Sequence, residues 1–77
     1  MEEIIRKFIQ QEILKDPERP IESDEALISS GLIDSFSLVD IALFVEREFG
    51  VRIDDADLSA ENFDTLDELT TLIKQRQ

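Results

Sequence analysis

Gly31-Leu32-Ile33-Asp34-Ser35-Phe36-Ser37-Leu38-Val39-Asp40 is the stretch from which the rest of the chain can be read. A glycine that permits a turn leads into two apolar residues and then an Asp-Ser pair, and aspartate and serine are preferred helix caps. From there Leu38, Ile41, Ala42, Val45 and Phe49 recur at helical spacing. The spacing predicts a helix over about 35–49 with that stripe facing a core. Gly50 stands where a helix is commonly closed by a left-handed residue.

Upstream, Ile5, Phe8, Ile9 and Ile13 form a second stripe, flanked by Ile4 and Leu14. It predicts a first helix over about 2–14, with Glu2 and Glu3 at the end where negative charge is favoured. Asp16-Pro17 and Arg19-Pro20 should stop it. A long connection of about 15–34 follows, and connections of that length are often functional. Within it, Ser23 or Asp24 is expected to cap a short helical turn through Leu27 and Ile28, and Leu32 or Ile33 to plug into the core. Downstream, Val51-Arg52-Ile53 reads as extended, and Asp54-Asp55 as the cap of a brief helix through about Ala60. Phe63 is a further plug. Thr65 with Glu68 matches a capping box. It should open a last helix that turns Leu66, Leu69, Leu72 and Ile73 inward. The fold class is all-α: a small bundle of three main helices plus one short helix, with a long loop between helices one and two.

The 77 residues allow one small domain, 1–77. No run of about 20 apolar residues is present, so no membrane insertion is expected. Met1-Glu2-Glu3 lacks a basic, then apolar, leader, which makes the cytoplasm the expected location. The net charge is -11 and the pI about 4.1. That opposes nucleic-acid binding and favours partners with basic surfaces, although acidic residues also simply keep a small protein dispersed. There is no cysteine and no histidine, so thiol nucleophiles, zinc sites and histidine-based triads are excluded. Paired carboxylates alone, on a chain too short for a water-excluded pocket, do not point to an enzyme. Read as a calcium loop from Asp55, the sixth position is Ala60 and the twelfth Leu66, where glycine and glutamate are required. No metal site is expected.

The run Gly31-Leu32-Ile33-Asp34-Ser35, followed by Val39-Asp40-Ile41 and then by Phe49-Gly50-Val51, Ile53 and Asp54-Asp55, resembles the acyl carrier protein family. The resemblance extends over essentially the whole chain. By itself Asp34-Ser35 would be a helix cap in most proteins, worth about 1 kcal/mol per residue; the full motif is specific where its pieces are weak. The resemblance implies that Ser35 carries a covalent 4'-phosphopantetheine arm taken from coenzyme A, with Asp34 as part of the motif. It also implies that the arm's thiol carries acyl or aminoacyl groups as thioesters in fatty-acid or specialised lipid or secondary-metabolite biosynthesis. The implied partners are a phosphopantetheinyl transferase, an acyl- or aminoacyl-loading ligase, and downstream synthase or transferase enzymes. The chain itself is expected to be a monomer and not a catalyst. The serine must be exposed, and its phosphodiester gains from the N–H groups at a helix start.

Phe36, Val39, Asp40, Leu43, Glu46 and Arg47 share the face of the second helix away from the core stripe. Spacing alone leaves them as scattered surface residues or as a docking patch. The resemblance favours docking, because this helix is the family's usual docking element. Some features depart from the family pattern. Phe36 follows the serine, Ser37 replaces a frequent acid, Arg47 and Arg52 interrupt an acidic stretch, and a Gly-Gly pair is missing. Glu61-Asn62-Phe63-Asp64-Thr65 resembles free-standing aminoacyl and specialised carriers. These departures count against a housekeeping fatty-acid carrier and do not touch the arm. Beside the acyl carrier stand two alternatives: a free-standing aminoacyl or peptidyl carrier, and an acidic helical interaction domain without a prosthetic group.

Overall fold

Three α-helices order the chain: α1 over Glu2–Phe8, α2 over Ser35–Phe49 and α3 over Leu66–Arg76. A computed structural model describes residues 1–77. There are no strands, and a single 3₁₀ turn at Asp55–Asp57 stands where a longer helix to Ala60 was expected. In that segment Asp54 turns its carboxylate to Arg52, 3.2 Å away, and makes no cap.

The first helix does not continue as α to Leu14. After Phe8 it widens into a π-helical turn over Ile9–Ile13. The Leu14 N–H donates to the Ile9 carbonyl at 2.8 Å, and the Asp16 N–H to the Gln10 carbonyl at 2.8 Å. The helix ends at Lys15, in the left-handed region at φ 55°, before the first proline is reached. Ile5 and Ile9 are fully buried, and Phe8 and Ile13 half-buried. At the other end Arg6 pairs with Glu2 at 2.8 Å and with Glu3. Its Nε also donates to the Ile21 carbonyl at 2.9 Å, which ties α1 to the loop.

The expected helical turn from Ser23 or Asp24 through Ile28 does not form. Ser23 is engaged elsewhere: its hydroxyl donates to the Glu2 carboxylate at 2.6 Å and accepts from Arg6 at 3.2 Å. Long-range bonds replace a local helix. Gly31 takes the expected turn at φ 82°, where a side chain would be disfavoured. Of the two candidate plugs Ile33 is buried and Leu32 is half-buried.

In α2 the buried residues are Leu38, Ile41, Phe44 and Val45. Phe44 was not assigned to the core stripe, whereas Ala42 and Phe49, which were, are only half-buried. The reason is aromatic packing. Phe44 stacks on Phe8 with ring centroids 4.1 Å apart, and meets the edge of Phe49 at 6.5 Å. Gly50 closes α2 at φ 68°, its N–H donating to the Glu46 carbonyl at 2.9 Å.

Thr65 caps α3, accepting from the Glu68 N–H at 3.1 Å. The return bond of the capping box falls one residue early, since Glu68 Oε1 accepts from the Asp64 N–H at 2.9 Å. Leu66, Leu69 and Ile73 are fully buried, Leu72 is half-buried, and Thr70 is buried with its hydroxyl donating to the Leu66 carbonyl at 3.0 Å. Helix α3 packs against α1. Six of the fifteen core residues lie outside the helices: Ile21, Leu27, Ile33, Val51, Ile53 and Phe63. Each contributes about 1.5–3 kcal/mol of burial, so the connections are part of the core. The radius of gyration, 11.2 Å, is close to the roughly 11.5 Å expected for this length.

Two substitutions test this packing. Leu38→Ala should lower unfolding free energy by about 2–5 kcal/mol, as a buried large-to-small change. Lys15→Gly should raise it by about 1 kcal/mol, because glycine removes the left-handed penalty at an exposed position. Urea denaturation of both variants reads the two effects with opposite signs.

Candidate functional site

Ser35 is the first residue of α2 and is exposed. It is delivered there by the Gly31 turn and by two adjacent anchors. On one side Ile33 is buried, and its N–H donates to the Leu27 carbonyl at 2.9 Å. On the other, Asp34 caps the helix, its carboxylate accepting from the Ser37 N–H at 2.8 Å. Ser35 therefore projects from a fixed backbone into solvent. The first N–H groups of a helix have no partner within it, and the macrodipole favours an anion there. A phosphodiester on the Ser35 Oγ would fit these surroundings.

The cap fixes the charge of Asp34. Hydrogen bonds from Ser37, its N–H first, hold the Asp34 carboxyl below its ordinary range. It is an anion at neutral pH, and its acceptor capacity is spent on the helix. No histidine exists to take a proton from the Ser35 hydroxyl, so activation of that serine falls to another enzyme.

The loop behind Ser35 is held by Asp64, which sequence reading had placed only in a stretch of general resemblance. Its Oδ1 accepts from the N–H groups of Ile28 at 2.7 Å and Ser29 at 2.9 Å, and its Oδ2 from the Ser29 hydroxyl at 2.5 Å. The Asp64 carbonyl accepts from the Leu27 N–H at 2.7 Å. The partners lie about 35 residues away, so no local pattern could have revealed them.

The other predicted residues fall on one side. Phe36 is 84% exposed, Val39 46% and Leu43 58%. Asp40, Glu46 and Arg47 are exposed on the same helix. Sequence reading missed Ile4 of α1, 47% exposed, which borders Leu43 across a groove. Asp57 and Arg76 pair at 2.6 Å, which together with the Arg52–Asp54 pair accounts for two of the clustered acids near Asp55. No group of histidine, cysteine or acidic side chains is arranged to hold a metal ion, and no helix is long and apolar enough to cross a membrane.

Residues 3–73 match the phosphopantetheine attachment site family. A protein described as acyl carrier protein from Thermotoga maritima is 36% identical over 70 residues, spanning 91% of this chain and 84% of that protein. The chain belongs to the acyl carrier protein family. Its prosthetic group is 4'-phosphopantetheine, whose thiol holds acyl groups as thioesters. The domain is a carrier and not a catalyst. No solved structure matches the chain.

Acid should loosen the site from behind. Bonds from Ser29, its hydroxyl first, hold the Asp64 carboxyl below its ordinary range. A depressed folded pKa stabilises the fold above the ordinary carboxylate range, and that stabilisation is lost as pH falls through the folded value. Asp67 has the opposite sign: the neighbouring Glu2 carboxyl, burial and the charges of Glu2 and Asp24 raise it. That repulsion destabilises the fold as pH rises through the carboxylate range. Melting curves should therefore show Asp64→Asn below wild type at pH 7 and converging with it in acid. Asp67→Asn should lie above wild type at pH 7 and lose its advantage in acid.

Proposed function

We propose that Ser35 is the attachment point of the 4'-phosphopantetheine arm and that the protein is a single, monomeric carrier domain over residues 1–77. The observation that carries this is the exposed Ser35 hydroxyl at the first turn of α2, directly after the Asp34 cap, in a chain of this family. A phosphopantetheinyl transferase supplies the arm from coenzyme A, and a ligase then loads an acyl or aminoacyl group on the thiol. Downstream synthases or transferases consume it, in specialised lipid or secondary-metabolite biosynthesis or in fatty-acid synthesis. The cytoplasm is the proposed location.

A second reading within the class is a free-standing aminoacyl or peptidyl carrier. It is supported by the resemblance of Glu61-Asn62-Phe63-Asp64-Thr65 to such carriers, in a segment whose Phe63 is buried and whose Asp64 holds the loop. Identifying the group on the thioester by intact mass spectrometry of protein from its own source separates the two.

The partners dock on α2 beside the arm. Phe36, Val39 and Leu43 supply contact area, and Asp40 and Glu46 steer the encounter with basic surfaces. Exposed apolar residues rimmed by charge suit that role, and rim charges act mainly on association rate. Incubation of the apo protein with a transferase, coenzyme A and magnesium should add one phosphopantetheine mass to wild type and none to Ser35→Ala. Asp40→Lys should slow the same reaction several-fold at low salt with an unchanged melting curve. Equal labelling of Ser35→Ala would move the site elsewhere, and full-rate labelling of Asp40→Lys at low salt would move the docking face.

A further inference from the structure

A groove of about 650 Å³ runs between the first helix and α2. The stacked rings of Phe8 and Phe44 line it together with Ile4 and Leu43. The π-helical turn contributes Gln11, Glu12 and Ile13 to its wall, and π turns inside helices are frequent at functional sites. This is a different surface from the start of α2, where the arm is proposed to leave.

Two cations line the groove from opposite sides, Lys7 on α1 and Arg47 on α2. Neither forms an ion pair, whereas Arg6, Arg19, Arg52 and Arg76 all do; of the other unpaired cations, Lys15 and Lys74, neither borders the groove. The sequence explains why. The helical neighbours of Arg47, three and four residues away, are Leu43, Phe44, Gly50 and Val51, none of them acidic. The one acid in reach of Lys7 at such spacing is Glu3, which pairs with Arg6. Arg47 also lies over the Phe44 ring, 5.8 Å from its centroid. That contact orients the guanidinium while its fork of donors stays free, and such a fork matches a carboxylate.

We propose that the groove between α1 and α2 docks a helical segment of a partner protein that brings a carboxylate beside apolar anchors. The apolar side chains enter between Ile4 and Leu43, and the carboxylate is held between Lys7 and Arg47. Glu12, Asp40 and Glu48 line the same groove and repel a segment carrying several acids, so the fit is to a single carboxylate placed at the two cations. An anionic membrane is disfavoured as occupant by the net charge of -11. The same charge makes the preference unusual, since bulk attraction would select a basic segment. The proposal extends the docking reading of α2 and does not depend on Ser35.

The probe is a short helix-forming peptide with leucines at i, i+3 and i+7 and one glutamate beside the central leucine, compared with a twin carrying lysine there. Both are titrated into ¹⁵N-labelled apo protein and into Ser35→Ala. The glutamate peptide should bind both proteins and shift amides around Ile4, Lys7, Leu43 and Arg47. The lysine twin should bind at least about tenfold more weakly, a difference of roughly 1.4 kcal/mol. Lys7→Gln and Arg47→Gln should each remove most of the preference for glutamate, and Arg47→Lys should restore part of it. Melting curves confirm that these exposed substitutions leave the fold intact. Equal or tighter binding of the lysine twin, or no binding of the glutamate peptide at about 1 mM, overturns the proposal. So do shifts confined to the start of α2, or concentration-dependent shifts at the groove without peptide, which would make a second copy the occupant. Peptide binding retained while Ser35 cannot be labelled would sink the attachment reading alone.

Discussion

One carboxylate holds the least regular part of the molecule to its last helix. Asp64 accepts two backbone N–H bonds and one hydroxyl bond from Ile28 and Ser29, while its own carbonyl accepts from Leu27. Arg6 and Glu2 tie down the first part of the long connection through Ile21 and Ser23; without the Asp64 bonds its second part would be anchored chiefly by the buried Leu27 and Ile33. Fixing a backbone residue costs about 1–2 kcal/mol, so a loop of this length needs long-range anchors. The clamp also acts at a distance on the site. Leu27, held by Asp64, accepts from the Ile33 N–H, and Ile33 is the last buried residue before Asp34 and Ser35.

The division of labour in α2 follows from its two faces. Leu38, Ile41, Phe44 and Val45 are spent on the core, and a residue spent there is unavailable for recognition. Phe36, Val39 and Leu43 remain outside. A carrier has to be recognised by several enzymes in turn, and on the docking reading proposed above an exposed apolar stripe with charged neighbours would serve that need without a deep pocket. The helix start supplies a solvent-facing hydroxyl on a capped, rigid turn. Rigidity under the serine and freedom beyond it suit a domain that presents a cargo and performs no chemistry on it.

Charge is distributed unevenly over this strongly acidic chain. Most of its arginines are drawn into pairs, Arg6 with Glu2 inside α1, Arg19 with Glu25 inside the first connection, and Arg76 with Asp57 between α3 and the 3₁₀ turn. Pairs exposed to this degree add little to stability, and with 19 acids to 8 cations an unpaired cation is a matter of local spacing. Lys7 and Arg47 stay unpaired on the surface: nothing acidic lies three or four residues from Arg47, and Glu3, the one acid at that spacing from Lys7, pairs with Arg6.

Much of this was legible in the sequence. The span of α2, its closure by Gly50, the turn at Gly31, the cap at Asp34 and the buried Phe63 follow from local rules, because caps, left-handed turns and periodicity act within a few residues. Membership of the carrier family was legible for the same reason: its motif is a contiguous run around Ser35. Tertiary structure alone decided the rest. The first helix widened after Phe8 and stopped at Lys15, where a non-glycine residue turns left-handed. No helix formed at Ser23, because that hydroxyl found Glu2 and Arg6 on α1. Phe44 joined the core because Phe8 offered its face, and Asp64 became a clamp through partners about 35 residues distant. In the last three cases a contact between segments far apart in sequence outweighed a local preference worth about 1 kcal/mol or less, and no window of neighbouring residues contains both halves of such a contact.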